Sequence, residues 1–308
     1  MNGPRYTLIM GAFYILYPDR PSQGPEPDGD TINFLPDNDD LIWALARFSG
    51  ARPERRHLGT YGLRFEGIDA LETHFLGRHQ NLEFANRARD RMLGLMGFGD
   101  VEFLPNNPNK IKAAEHHPVR GFVCANGIES NGRVLGLVHP GEPPQQNGPP
   151  PDGQGVFVTE DLLDLSVNAR LVHEGLAYAE LYGTMPIDLA DHLKATVADT
   201  RVAGKGLWPY ESVNMDTAAT IGSLADLSEL VMFPKLYRRL VSYFLANPGN
   251  DLGGFDAWVR ADPIRRDDRV ILPNRELGNL HDIYALDGNT LQLRVRPEEL
   301  LFQPDPPH

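Results

Sequence analysis

The chain has 308 residues, of which 41% are hydrophobic and 23% are charged, the composition of an ordinary globular protein. Its formal net charge of −13 argues against a basic module that binds nucleic acid tightly whatever the sequence, but not against turnover of a phosphate substrate. A single cysteine, Cys124, excludes an intrachain disulfide framework and a cysteine-ligated zinc site.

No apolar run reaches the ~18 residues of a membrane span, so we expect no insertion into a membrane. The apolar stretch 7–17 follows Arg5, as in a signal peptide, but no small-residue cleavage site comes after it. We therefore interpret it as a first strand and favour a cytoplasmic over a secreted location, with the compartment left open.

Apolar runs rich in β-branched and aromatic residues predict short strands in the first part of the chain. They lie at 6–17, 30–35, 61–68, 101–104, 119–125 and 133–139.

Three helices accompany the predicted strands. One is expected at about 78–96 and another at about 186–203, and the third, at about 159–177, has Thr159 as its N-cap and acidic residues in its first turn, where the helix dipole favours them. Short strands with one interposed helix and further helices behind them predict the α+β class, with a five-stranded barrel of the OB type.

Three segments are predicted to be insertions into this barrel: 18–28, 38–59 and 140–154. The last is so rich in proline and glycine that we expect it to be mobile.

The pattern changes after Trp208-Pro209, and we place a domain boundary near residue 211. The first domain is then 1–210, and residues 211–308 form a small α+β domain of unknown role, with a helical stretch at 219–247 that Pro234 kinks or breaks. A β unit follows at 268–302, whose turn is DGN at 287–289. This part could instead be the working module, for interaction or dimerisation; the oligomeric state stays open.

The stretch RFEGIDALET, residues 64–73, brings one arginine and two carboxylates close together at a predicted strand end. Metal-assisted cleavage of a phosphodiester needs hard oxygen ligands, a carboxylate that activates water, and fixed guanidinium groups against the phosphoryl oxygens. Residues that could supply these groups are Asp30, Arg64, Asp69, Glu72 and Arg133.

On a straight strand, Arg64 and Asp69 would point to opposite faces because they are five residues apart. The strand must therefore bend between them, and Gly67 is the residue best able to allow it. Asp30 and Arg133, distant in sequence, are expected to converge on the same place.

Five motifs occur in a fixed order: DGDT at 28–31, R-x4-D-x2-E at 64–72, GR at 132–133, VNARLVHEGLA at 167–177 and KGLWPY at 205–210. Their order and spacing resemble the staphylococcal nuclease (thermonuclease) family over roughly residues 6–210. The resemblance implies a Ca²⁺-dependent, sugar-nonspecific nuclease that hydrolyses DNA and RNA and leaves 3′-phosphates.

Residue by residue, the resemblance implies that Asp30, Asp69 and the carbonyl oxygen of Ala70 are calcium ligands, with Asp28 supporting them. It implies that Glu72 is the general base. Arg64 and Arg133 would clamp the phosphate and stabilise the transition state.

Two departures from the family pattern bear on different properties, the first on the loop that aims Glu72 and the second on substrate preference. Ala70-Leu71 stands where the family often has Thr-Pro, and Ser130 and Asn131 stand where the staphylococcal enzyme has a lysine and a tyrosine. The alternative function is a non-catalytic binding module of the same fold.

Other charged groups allow two interpretations each. The basic run Arg52, Arg55 and Arg56 is either a solvated loop or a contact to the phosphate backbone of the substrate. The adjacent pair His173-Glu174 lacks the second histidine of a zincin motif, so we interpret His173 as part of a helix surface.

Overall fold

The computed structural model describes residues 6–144, 151–249 and 251–304. The helices are α1 (Asp39–Ala44), α2 (Leu82–Met96), α3 (Glu160–Asp164), α4 (Val167–His173), α5 (Ile187–Val202), α6 (Pro234–Ala246) and α7 (Phe255–Arg260). Strands of the first part are β1 (Tyr6–Tyr14), β2 (Thr31–Pro36), β3 (Tyr61–Phe65), β4 (Gly67–Ala70), β5 (Gly99–Leu104), β6 (Asn107–Glu115), β7 (Val119–Ile128), β8 (Val134–Pro140), β9 (Gly155–Val156) and β10 (Ala177–Glu180). Strands of the second part are β11 (Ala219–Thr220), β12 (Arg269–Ile271), β13 (Leu277–Asn279), β14 (Tyr284–Asp287), β15 (Thr290–Leu293) and β16 (Leu301–Phe302).

Five strands close into a barrel in the order β2-β3-β8-β7-β1, and β1 pairs again with β2. All these pairs are antiparallel except β3 with β8, which is parallel, so the barrel is mixed. The predicted α+β class with a five-stranded barrel core is confirmed, and the closed barrel is consistent with an OB-fold-like architecture. Part of the segment predicted to be mobile, residues 145–150, lies outside the described residues.

The chain bends at Gly67, as predicted. Gly67 has φ of +80°, a left-handed conformation that costs glycine little, and it is the first residue of β4, directly after the turn out of β3. Strand β4 leaves the barrel sheet and pairs with β10, with Asp69 opposite Tyr178. A Cβ atom at Gly67 would lie 2.6 Å from the Leu193 side chain, so neither the conformation nor the packing admits a larger residue without a shift.

The helix predicted at 159–177 is wrong in its extent. Thr159 does cap α3 by accepting a hydrogen bond from the Leu162 amide, but the helix stops after Asp164. Ser166 then caps the separate helix α4, because its hydroxyl accepts a hydrogen bond from the Ala169 amide. Serine hydroxyls often compete in this way with the backbone hydrogen bonds of a continuous helix. Ala177, expected at the end of the helix at 159–177, is instead the first residue of β10.

The helical stretch predicted at 219–247 is also wrong in its first half. A 3₁₀ turn occupies Leu224–Glu229, and α6 begins at Pro234 with proline in its first turn. Proline is favoured there because the missing N–H would have no partner in the helix. Pro234 therefore begins a helix and does not kink one. The predicted hairpin is confirmed, since β14 and β15 pair with Asp287 opposite Thr290.

The second part of the chain packs directly on the first. Strand β16 lies beside the end of β10, where the Phe302 amide donates to the Leu181 carbonyl oxygen at 2.8 Å. The Arg201 guanidinium of α5 forms ion pairs with Glu211 and Glu298, and α6 lies against the turn after β4. Among the described residues, no helix combines the length and apolar character needed to cross a membrane.

Candidate active site

The barrel brings Asp30, Arg64 and Asp69 together. Arg64 lies on β3 opposite Thr31 of β2, so its side chain meets Asp30 one residue earlier. The Arg64 Nη1 atom forms an ion pair with Asp30, and its Nη2 atom lies 2.6 Å from Asp69 Oδ1. The bend at Gly67 makes this second contact feasible, because it turns Asp69 back toward the face that carries Arg64.

Asp30 is a buried carboxylate held from two sides. Its Oδ2 atom accepts a hydrogen bond from the Ala70 amide at 2.7 Å, and its own amide donates to Asp28 Oδ1 at 3.2 Å. Burial raises the pKa of Asp30, and the neighbouring Asp28 adds to this effect while Arg64 opposes it.

Glu72 lies just after β4, and its side chain is 12% exposed. Its amide donates to Gln80 Oε1 at 3.1 Å, which fixes the turn that carries it. Burial raises the pKa of Glu72 to about 8, with Asp28 and Asp69 contributing to the rise and Arg238 opposing it.

The guanidinium of Arg238, on α6, enters this site from the second part of the chain. Its Nη1 atom lies 2.9 Å from Asp69 Oδ1 and 2.7 Å from Glu72 Oε1, and its Nη2 atom lies 3.0 Å from Asp69 Oδ2. Sequence reasoning missed this residue entirely. Asp69, between Arg64 and Arg238, is fully buried at 0% exposure, and burial raises its pKa against the pull of Arg238 and Arg64.

Glu180 and Lys235 complete the charged group. Glu180 Oε2 lies 2.8 Å from Arg64 Nη2, and Lys235 Nζ lies 3.0 Å from Glu180 Oε1 and 3.2 Å from Asp268 Oδ1. Burial works against the charge on Glu180, but Lys235, Arg64 and Arg238 together hold its pKa well below the usual range.

A sequence signal for the missed cations did exist. Lys235, Arg238 and Arg239 are three and four residues apart on an otherwise apolar helix, so they share a face. Buried basic residues need partners, but nothing in the sequence says which carboxylates these would be.

Arg133 lies immediately before β8. Its Nε atom is 3.1 Å from Glu129 Oε1, and its Nη1 atom is 3.5 Å from Thr31 Oγ1. Arg133 and Thr31 line the same cavity of about 910 Å³ as Arg64, Glu72 and Arg238. The expected convergence of Asp30 and Arg133 is therefore seen at this cavity.

The predicted basic run divides into two groups. Arg56 lines the cavity and donates from Nη1 to Asn33 Oδ1 at 2.8 Å. Arg52 and Arg55 are exposed, and the Arg55 Nε atom lies 3.9 Å from Asp39, on the side of α1. Arg56 is therefore the one member of this basic run that a ligand in the cavity would contact.

We define the carboxylate cluster as Asp30, Asp69, Glu72 and Glu180. Three cationic groups face it: Arg64, Lys235 and Arg238. Four carboxylates therefore face three cations; burial is the main cause of the raised pKa values of Asp30, Asp69 and Glu72, and neighbouring carboxylates add to it. Its oxygen atoms are the hard donors that Ca²⁺ prefers, but Asp69 can donate to an ion only if Arg238 releases it.

Neither protein-family models nor curated proteins give a match to this chain. Inferences about its activity therefore depend on the motifs and on the geometry of the carboxylate cluster.

Proposed function

We propose that the chain is a Ca²⁺-dependent, sugar-nonspecific nuclease of the staphylococcal nuclease type. The observation that supports this most directly is the meeting of three distant stretches at one cavity. Asp30, the segment 64–72 and Arg133 contribute carboxylates and guanidinium groups to the same place, and these are the groups that hydrolysis of a phosphodiester requires.

In this proposal Asp30, Asp69 and the Ala70 carbonyl oxygen would hold the ion, which would supply positive charge to stabilise the phosphoryl group. Arg64 and Arg133 bind the remaining phosphoryl oxygens, since a guanidinium fork matches their geometry. Both contacts are to phosphate and neither is to sugar, in line with the hydrolysis of both DNA and RNA.

Glu72 takes a proton from the water that attacks phosphorus. The P–O5′ bond breaks as the bond from the water oxygen to phosphorus forms, Arg133 stabilises the departing O5′, which takes a proton from solvent, and the 3′-phosphate remains on the preceding nucleotide. The proton that Glu72 accepted returns to solvent, and the ionised carboxylate is restored for the next turnover.

The proposal is tested with Glu72→Gln, which removes the base but keeps the shape of the side chain. Loss of a general base costs about 10²–10⁴-fold in rate, so cleavage of plasmid DNA and of a single-stranded RNA in Ca²⁺ should fall by that range. Chelation of the ion should stop the wild type.

The matched control is Glu102→Gln, at an exposed carboxylate that pairs with Lys112 on the β5–β6 hairpin. It should cleave both substrates at the wild-type rate. If Glu72→Gln cleaves them as fast as this control, Glu72 is not the base.

A second candidate function has one observation in its favour. Arg238 pairs with both Asp69 and Glu72, an arrangement also suited to a non-catalytic binding module in which a permanent ion-pair network replaces the metal. That alternative predicts binding of nucleic acid or protein without cleavage, in the presence or absence of Ca²⁺.

A further inference from the structure

We propose that Arg238 is an internal cation that competes with the divalent ion and restrains Glu72, so that the site is closed until the guanidinium is drawn away. This inference rests on the proposed function and concerns the regulation of the same site. It assigns a role in the site to the second part of the chain.

Arg238 makes a bidentate contact with Asp69 and a further hydrogen bond to Glu72. Its two terminal nitrogens meet the two oxygens of Asp69 in a fork-to-fork arrangement, and Nη1 also reaches Glu72. Bidentate guanidinium–carboxylate pairs are among the strongest hydrogen-bonded contacts in proteins. While they persist, both oxygens of Asp69 are engaged by Arg238, and the guanidinium at Glu72 Oε1 favours the ionised carboxylate, which makes Glu72 a weaker base.

The charge balance of the carboxylate cluster is compatible with replacement of the Arg238 guanidinium by a Ca²⁺ ion. With Arg238 in place and every carboxylate of the cluster ionised, four carboxylates face three cationic groups; when Arg238 leaves, two of these negative charges lack compensation within the cluster. Two charges are those of one divalent ion, and a buried cluster tolerates little net charge. Withdrawal of Arg238 and entry of Ca²⁺ should therefore occur together.

The side chain can move without its helix. Arg238 is 19% exposed and lines the cavity, whereas α6 is anchored at its start by Gln80 Nε2, which donates to the Met232 carbonyl oxygen at 2.8 Å, and by buried Lys235. A phosphodiester in the cavity would offer the guanidinium another anion. Substrate and ion should therefore bind with positive coupling.

The test measures Ca²⁺ binding directly, by isothermal titration of the full chain and by the rise of its melting temperature with Ca²⁺. Arg238→Gln should bind Ca²⁺ at least about 10-fold more tightly than the wild type, within the 5–150-fold range of typical coupling. The control is Arg239→Gln, at the next position of α6, whose guanidinium pairs with Asp268 at 2.7 Å and should leave Ca²⁺ affinity unchanged.

Three results would overturn the inference: equal Ca²⁺ affinity in the wild type and Arg238→Gln, an equal gain in Arg239→Gln, or no Ca²⁺ binding by either the wild type or Arg238→Gln. Failure of the proposed nuclease is distinguishable from these. If Arg238→Gln binds Ca²⁺ more tightly and still cleaves neither DNA nor RNA, the competition stands and the nuclease does not.

A separate group of side chains points to a second metal site, and we infer that it takes a transition metal such as Zn²⁺. Asp164 at the end of α3, His173 at the end of α4 and His192 on α5 place one ligand atom each within 4.8 Å of one another. Asp164 Oδ1 lies 3.1 Å from His173 Nε2 and 2.8 Å from His192 Nε2. Imidazole and carboxylate are ordinary zinc ligands, and three protein ligands leave a position for water.

A fourth side chain supports this inference. Glu160 Oε2 lies 3.5 Å from His192 Nδ1, on the far side of the ring from Asp164. A metal-bound histidine commonly donates its other N–H to a carboxylate, so Glu160 would fix the tautomer in which Nε2 binds the metal. Without a metal, a neutral His192 can donate to only one of the two carboxylates.

Zn²⁺ binding by the full chain can be measured against a chromophoric chelator. The wild type should bind one equivalent of Zn²⁺ more than His173→Ala or His192→Ala does. Glu160→Gln should lower the affinity for that equivalent by about 10–100-fold. The control is His116→Asn, at an exposed histidine with φ of +57°, a conformation that asparagine tolerates. Equal Zn²⁺ binding by the wild type and both histidine variants would overturn the site.

Discussion

Glu66, at the end of β3, is a carboxylate without a basic partner among the ion pairs of the described residues, and it is 2% exposed. Its Oε1 atom accepts a hydrogen bond from Asn126 of β7. Burial raises the pKa of Glu66 to about 7, although the contact with Asn126 opposes the rise. A single residue in the barrel wall therefore couples the stability of the fold to pH.

We predict that Glu66→Gln removes the part of the pH dependence of stability that lies between about pH 4.5 and 7. Because the pKa rises from 4.5 in the unfolded chain to about 7 in the fold, only the unfolded state is ionised in that window. The free energy of unfolding should fall as pH rises through it, by roughly 3 kcal/mol in all at 1.36 kcal/mol per pKa unit. The variant should lack this fall.

Urea unfolding of the wild type and Glu66→Gln at several pH values between 4.5 and 8 measures the difference. Glu102→Gln, at an exposed carboxylate, is the control and should follow the wild type. Parallel curves for the wild type and Glu66→Gln would show that Glu66 keeps its ordinary pKa.

At the scale of elements, α6 is the helix on which the site depends most. It places Lys235 and Arg238 one turn apart and directs both at carboxylates of the first part of the chain. Lys235 is 6% exposed in its side chain and has two carboxylate partners. A buried ion pair contributes little net stability when intact, but removal of one partner leaves an uncompensated charge.

We therefore expect Lys235→Met to destabilise the protein by about 3–5 kcal/mol, as measured by urea unfolding at pH 7. Lys112→Met is the matched control, because Lys112 pairs with Glu102 at 2.9 Å and is 57% exposed. An exposed pair is worth about 0–1 kcal/mol. A loss in Lys235→Met no larger than in the control would mean that Glu180 and Asp268 are already neutral or hydrated.

Local chemistry predicted the bend at Gly67, the cap at Thr159 and the hairpin at 287–289, because each depends on residues close in the chain. The extents of the helices near Ser166 and Pro234 were wrong, since tertiary contacts and side-chain caps decide whether a helix continues.

The candidate site was predictable only in part. Motif spacing led to Asp30, Arg64, Glu72 and Arg133, which line one cavity, and to Asp69, which is fully buried in contact with Arg64. Glu180 and Arg238 were missed because their contacts join β10 and α6 to the barrel across more than a hundred residues. A pattern of short-range spacing carries no information on such pairings.

At the scale of the whole molecule, the predicted boundary near residue 211 stays a prediction, but dense contacts cross it. Arg201 pairs with Glu211 and Glu298, Phe302 bonds to Leu181, and α6 joins the carboxylate cluster. Unfolding of the second part alone would leave buried charges of the first part without partners, so we expect both parts to unfold together.

Trp208 lies in the first part and Trp258 in the second, so they report on the two parts separately. In variants that retain one tryptophan each, fluorescence should give the same urea midpoint within about 0.2 M, and far-UV circular dichroism should agree with it. Two separated midpoints would show that the parts unfold independently.

The partners Asp69 and Arg238 are 169 residues apart, which matters while the protein is being made. At about 5–20 residues per second, a ribosome needs roughly ten to thirty seconds to pass from one to the other. For nearly all of that interval the nascent chain carries Asp30, Asp69 and Glu72, while Arg64 is the one cation facing the carboxylate cluster that has yet been synthesised. The barrel strands all precede residue 141, but the complete set of ion pairs at the carboxylate cluster should wait until α6 leaves the ribosome, so translation speed sets when the site can first assemble.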